Sequence, residues 1–150
     1  MKNSWIFPGQ ASQKIGMGKD LYNKTEIGRN YYKTANEILE VDIQSISFNG
    51  PDEVLKKTKY TQPAIFIVST IIGHIMIEKG YSPDSVAGHS LGEYSALVVS
   101  GGLDFSTGLE LVKLRSECMH NAGKESLGTM AAIIGLSSDD VNNLCDEIST

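Results

Sequence analysis

Cysteine is scarce in this chain. Cys118 and Cys145 are the two among 150 residues, too far apart for a C-x-x-C pair and too few for a disulfide framework, so both read as reduced thiols. Positive charge is also in short supply, with 13 Lys and Arg against 18 Asp and Glu and a formal net charge of −5. That balance leaves no electrostatic footprint for nucleic acid and nothing to attract an anionic membrane surface. A long apolar run is missing too: residues 64–77 form the longest, at 14 residues, and Ser69, Thr70 and His74 interrupt it. It is too short and too polar for a membrane span. Near the N-terminus, Lys2 is followed by no signal-peptide apolar core. Repeats, low-complexity tracts and charge blocks are absent as well. These absences point to a cytoplasmic protein with neither nucleic acid nor membrane as partner. What is present, 41% apolar and 21% charged residues over 150 positions, suits one globular domain, or one domain and part of a second.

The pattern along the chain alternates strand and helix. Ser4–Phe7 reads as a buried strand running into Pro8-Gly9-Gln10-Ala11-Ser12-Gln13, a loop by composition that Gly16 and Gly18 prolong. Ile27, Tyr31, Ala35, Ile38 and Leu39 recur at helical spacing and predict an amphipathic helix over 26–40. Pro51 suits the first position of a short helix through Lys57, and Thr61 opens a long apolar helix to about Lys79 that tolerates Pro63 in its first turn and stops at Gly80. Ser85-Val86-Ala87 is a brief strand, and a helix follows from near Glu93. Asp104 caps the next helix, with Leu111, Leu114 and Cys118 on its expected buried stripe. Residues 121–128 read as a linker and 129–134 as a strand. Ser137 then starts a helix carrying Val141, Leu144 and Ile148 on one face. The fold class is therefore α/β with parallel pairing.

Chemistry concentrates at Gly88-His89-Ser90-Leu91-Gly92, which fits the G-x-S-x-G nucleophile elbow. A strand-to-helix turn that tight tolerates only small flanking residues and lifts the serine hydroxyl above the sheet edge. The alternative is a glycine-rich turn with a solvated serine; the strand before it and the helix after it favour the elbow. A serine needs a base within hydrogen-bond reach. His89 adjoins Ser90 but points away along the elbow, and His74 suits a hydrogen-bonded structural role. His120 follows the elbow in hydrolase order at a separation of only 30 residues. No histidine of the three is a convincing base. Arg115 shares the stripe of Leu111 and Cys118, so it is either a snorkelling cation with its head in water or a fork waiting for a substrate carboxylate.

Four motifs in order, Phe7-Pro8-Gly9-Gln10-Ala11-Ser12-Gln13, Thr61-Gln62-Pro63-Ala64, Gly88-His89-Ser90-Leu91-Gly92-Glu93 and Leu111-Val112-Lys113-Leu114-Arg115, resemble those of the malonyl-CoA:acyl carrier protein transacylases and the related acyltransferase domains of polyketide and fatty acid synthases. Gly128-Thr129-Met130-Ala131-Ala132-Ile133 resembles the strand leading into that family's small subdomain. The resemblance runs from residue 5 to about 136, and Ala11 departs from it, standing where the family usually has glycine.

This resemblance implies an α/β-hydrolase-like large subdomain over 1–124 and the beginning of a ferredoxin-like small subdomain over 125–150. It implies a transferase of fatty acid or polyketide biosynthesis in which Ser90 takes malonyl from coenzyme A as an ester and passes it to the phosphopantetheine thiol of acyl carrier protein. Gln10 and Leu91 would supply oxyanion-hole N–H groups, Arg115 would grip the malonyl carboxylate, and Gln62 would line the same pocket. No cofactor or metal is implied, because the coenzyme A thioester is a substrate. The family's catalytic histidine lies beyond residue 150. The chain is therefore expected to be an N-terminal part, inactive alone, whose partners include malonyl-CoA, acyl carrier protein and a C-terminal half in cis or trans. A serine esterase or thioesterase of α/β-hydrolase type, and a non-catalytic fragment, are the competing readings.

Overall fold

A computed structural model describes residues 2–125 and 133–148. Its elements run β1 (Ser4–Phe7), α1 (Lys19–Lys24), α2 (Glu26–Leu39), α3 (Ile43–Asn49), α4 (Asp52–Leu55), α5 (Thr58–Glu78), β2 (Ser85–Gly88), α6 (Gly92–Val99), α7 (Phe105–Glu125) and α8 (Ser138–Ile148). The two strands pair in parallel, from Ser4 opposite Ser85 to Phe7 opposite Gly88. Parallel strands need a long crossover, and helices α1 to α5 are that crossover. Both strands consequently end at the same edge, so the loop after Phe7 and the turn after Gly88 lie side by side, and His89 N–H donates to the Phe7 carbonyl at 3.0 Å. The carboxyl edge of a parallel sheet is where α/β proteins build their sites.

Helix α5 is the hub. It packs against α2, α3, α4, α6 and α7. Ala64, Ile65, Phe66, Ile67 and Ile71 from it meet Tyr32 and Ala35 of α2, Ile43 and Phe48 of α3, and Leu109 and Val112 of α7 in the main core. At 21 residues α5 is long and apolar enough to cross a membrane, longer than the 14-residue run suggested, yet most of it is buried inside the fold. A smaller cluster of Phe7, Ala96 and Val99, with Trp5 and Val86 against it, fastens α6 to the sheet. Lys113 of α7 donates to the Ile38 carbonyl in the last turn of α2 at 2.9 Å, a cation on an orphan helix-end acceptor.

Several expectations hold. Strand β1, the helix over 26–39 and the helix after the elbow stand where predicted, although β1 is not the buried strand expected: Phe7 is buried and Ile6 is exposed. Asp104 caps α7 by accepting from Thr107 N–H at 2.9 Å, and Thr25, which the sequence reading did not single out, caps α2 with its hydroxyl accepting from Gly28 N–H at 3.0 Å. Ser137 and Asp140 exchange hydrogen bonds in a capping box at the head of α8. Others need correction. Pro51 is the N-cap of α4, not its first residue, and α4 ends at Leu55. Helix α5 begins three residues early, so Pro63 lies in its second turn. Residues 121–125, read as linker, continue α7. The expected strand over 129–134 falls mostly outside the described residues, and Ile133 and Ile134 are not strand. The stripe of α7 that faces the core is Phe105, Leu109, Val112 and Ser116, whereas Leu111, Leu114 and Cys118 are exposed.

His74 is the structural histidine it was expected to be. Its Nδ1 and the Tyr31 hydroxyl share a hydrogen bond of 2.7 Å, and a hydrogen bond to the Val98 backbone ties it to α6. Burial holds its pKa below 6.5, against the opposing pull of Glu78. The folded state therefore binds fewer protons than the unfolded chain between that depressed pKa and 6.5. Stability from this source is complete above 6.5 and declines as pH falls through the window. Urea midpoints at mildly acidic and neutral pH should differ more for the natural protein than for His74→Gln. Equal differences would show that His74 is not the titrating group.

Candidate active site

Strand β2 stops at Gly88 and α6 starts at Gly92, leaving three residues for the reversal. A Cβ on Gly88 would run into the Gly92 carbonyl carbon and the Glu93 nitrogen, and one on Gly92 would run into the Phe7 carbonyl. Both positions need glycine because backbone occupies the space. Ser90 between them takes φ +53°, a left-handed conformation that costs an L-residue free energy and persists where the surroundings enforce it. Its side chain is exposed at the sheet edge. Gly92, Glu93 and Tyr94 N–H groups donate to the carbonyls of His89, Ser90 and Leu91 and start the helix directly behind the serine.

The neighbouring loop is built to stand close. The His89 ring lies against Gly9, so His89 turns toward the loop, as expected for a residue pointing along the elbow. Ser12 Oγ donates to the Gly9 carbonyl at 2.6 Å, and Ala11 N–H donates to Gln13 Oε1 at 2.9 Å. Ala11 has φ +83°. Its methyl is small enough for the site, but the backbone conformation is one that glycine adopts at lower cost. Among the described residues, the N–H groups of Gln10 and Leu91 donate to no other backbone group. The Leu91 side chain is buried in the core and anchors the turn from below.

Arg115 reaches across from α7. Its Nη2 donates to Ser90 Oγ at 2.7 Å and its Nη1 to Gln62 Oε1 at 2.6 Å. The carboxamide of Gln62, wholly buried in α5, donates in turn to Gln10 Oε1 at 3.2 Å and to Met119 Sδ at 3.2 Å. Gln10 Nε2 closes the series on Thr58 Oγ1 at 3.3 Å. The structure thus gathers Gln10, Gln62, Ser90 and Arg115, from four separate parts of the chain, into one hydrogen-bonded set with Leu91 beside the serine. The α7 face shared by Leu111 and Arg115 is real, but it does not face the core: Leu111 is exposed and Arg115 turns toward the elbow. That is why a cation belongs on it. Met119, one turn beyond Arg115 on the same face, and Tyr94, whose ring centroid is 6.0 Å from Arg115 Cζ, were not anticipated. The i, i+4 spacing from Arg115 could have pointed to Met119.

The hydroxyl of Ser90 is partnered by a guanidinium, which has no lone pair to accept its proton. His74 is engaged with Tyr31, His89 faces Gly9, and His120 stands on α7 more than one turn past Arg115. Among the described residues no group of three His, Cys, Asp or Glu side chains could hold a metal ion.

Residues 4–147 match the family described as Acyl transferase domain. The sequence is 47% identical over 134 residues to the malonyl CoA-acyl carrier protein transacylase of Synechocystis, a match covering 89% of this chain and 44% of that protein. The crystal structure of the Burkholderia pseudomallei malonyl CoA-acyl carrier protein transacylase superposes with a TM-score of 0.88 at 37% identity, over 99% of this chain and 50% of that one. A malonyl-transacylase solved in complex with a type II polyketide synthase acyl-carrier protein gives 0.86 at 36% identity, over 100% of this chain and 49% of the other. The chain spans roughly half the length of the curated relatives it matches, for example 47% of that from Bacillus subtilis.

Proposed function

The chain belongs to the acyl transferase family, and on that premise we propose that its site moves a malonyl group from coenzyme A to the phosphopantetheine thiol of acyl carrier protein through an ester on Ser90. Ser90 Oγ attacks the thioester carbonyl, the oxyanion is held by the N–H groups of Gln10 and Leu91, and the coenzyme A thiol leaves with the serine proton. The carrier thiol then attacks the ester, and its own proton passes to the Ser90 oxygen as that oxygen leaves. Among the described residues the N–H groups at both positions donate to no backbone carbonyl, which supports this reading. Each such donor is commonly worth about 3–4 kcal/mol in the barrier.

The observation that carries the proposal is the 2.7 Å contact between Arg115 Nη2 and Ser90 Oγ. Malonyl bears its carboxylate one methylene from the carbonyl that the serine attacks. An ester on Ser90 must therefore place that carboxylate close to Oγ, where the guanidinium already stands. The incoming carboxylate replaces Oγ as the acceptor of Nη2 and leaves the serine lone pair free to attack. Gln62 keeps Nη1 and holds the fork while this exchange occurs. A hydrolase acting on neutral esters has no use for a cation at this place.

Three finer elements belong to the same proposal. The base comes from residues outside these 150, in cis or in trans, because the atom touching Ser90 Oγ is a donor. Residues 1–124 form an α/β-hydrolase-like subdomain, with a ferredoxin-like one beginning at 125. The protein works in the cytoplasm, in fatty acid or polyketide synthesis.

Arg115→Ala, assayed with the residues that supply the base present in cis or in trans, is the test. It should lower kcat/KM for malonyl-CoA by about 10- to 150-fold, the loss of a charge-assisted contact of about 1.5–3 kcal/mol, and leave acetyl-CoA turnover unchanged or higher. Equal losses for both thioesters would make Arg115 structural and remove the ground for the malonyl reading.

A further inference from the structure

We propose that Met119 is a positioning residue whose sulfur fixes the Gln62 carboxamide and, through it, the Arg115 guanidinium. A guanidinium carries only donors, so Gln62 must present Oε1 to it, and it does so at 2.6 Å. The two hydrogens on Nε2 then need two acceptors in a place where Gln62 has no exposure to water. They find Gln10 Oε1 at 3.2 Å and Met119 Sδ at 3.2 Å. Reversing the amide would set Nε2 against a guanidinium and Oε1 against another oxygen and a sulfur. The orientation seen is therefore the one in which every contact is attractive.

Methionine suits the position because of what its sulfur cannot do. It accepts weakly and donates nothing, so it offers no hydrogen to Oε1 and cannot compete with Arg115 for it. Arg115 and Met119 stand four residues apart on one face of α7, so the helix that aims the guanidinium also braces the residue that steadies it. Leucine has a similar volume and no acceptor. It would leave one buried Nε2 hydrogen unpaired and let the carboxamide turn away from Nη1.

This inference rests on the reading of Arg115 as the carboxylate grip, so the experiment carries one readout independent of it. Met119→Leu, Met119→Gln and Gln62→Ala are compared with the natural protein, singly and with Met119→Leu placed in the Gln62→Ala background. Met119→Leu should lower kcat/KM for malonyl-CoA by about 5- to 10-fold, an effect the size of one hydrogen bond, and leave acetyl-CoA unaffected. Met119→Gln, which restores an acceptor, should recover most of the loss. In the Gln62→Ala background Met119→Leu should add nothing, because the residue it acts through is gone. The side-chain NH2 resonances of Gln62, assigned by their disappearance in Gln62→Ala, should shift in Met119→Leu. Equal losses for both thioesters, an additive double variant, or unmoved Gln62 resonances would overturn the inference. If the natural protein forms no malonyl ester, the reading of the function fails, and the Gln62 resonances alone decide the role of Met119.

Discussion

Ser90→Ala should abolish the covalent malonyl adduct, with a loss on the order of 10⁶-fold in transfer, because a hydroxyl nucleophile has no substitute at the head of the elbow. The expectation comes from placement: an exposed side chain at φ +53° between two glycines that backbone crowding requires, with an arginine donor on its oxygen. The fold should be indifferent. Exposed substitutions generally stay within about 0.5 kcal/mol, and alanine keeps the same backbone strain. Ser90→Gly separates the two effects. It should be equally inactive yet more stable by about 1 kcal/mol, since glycine adopts a positive φ without penalty. Intact-mass measurement after exposure to malonyl-CoA, with a urea midpoint for each variant, checks both. A malonyl adduct on the alanine variant would remove Ser90 from the mechanism.

Gly88→Ala should be severely destabilising, because among the described glycines an added Cβ would approach its neighbours most closely at this position. The added carbon meets the Gly92 carbonyl carbon and the Glu93 nitrogen, all of it backbone at the first turn of α6. Backbone there has little room to retreat. Gly92 is itself held against the Phe7 carbonyl, while Ala96 and Val99 of the same helix pack on Phe7. Ordinary overpacking costs about 1–3 kcal/mol. Relief here requires separating α6 from the sheet, so a loss on the order of 4 kcal/mol is expected, at the extreme of single substitutions. Thermal and urea unfolding measure it directly. A loss under about 1 kcal/mol would mean that the elbow is looser than its contacts imply.

Much of this architecture can be read from residue order. The elbow declares itself in Gly88-His89-Ser90-Leu91-Gly92, because a five-residue pattern records a purely local steric demand. Caps are similarly local, and Thr25, Asp104 and Ser137 stand where short polar side chains meet free helix-end N–H groups. Helix α3 is not legible in the sequence pattern, because Ile43, Ile46 and Phe48 are residues equally at home in strands. What makes them helical is Asp42, which accepts from Ser45 N–H at 2.9 Å, and the burial of Ile43, Ser47 and Phe48 on one side.

The α7 stripe marks where local reading ends. Periodicity reports that Leu111, Arg115 and Cys118 share a side of a helix, but it carries no information about what that side faces. Packing of α7 on α5 turns Phe105, Leu109 and Val112 inward and sends the Arg115 side toward the elbow. Sequence order alone thus establishes the alternation of strand and helix, the tight turn and the place of Ser90 at its head, because each depends on neighbours a few positions apart. The meeting of Ser90 with Arg115, Gln62 and Gln10, and the part played by Met119, belong to the tertiary structure. Those contacts join residues up to 57 positions apart, and their distances are settled by how α5 and α7 pack beside the paired ends of β1 and β2.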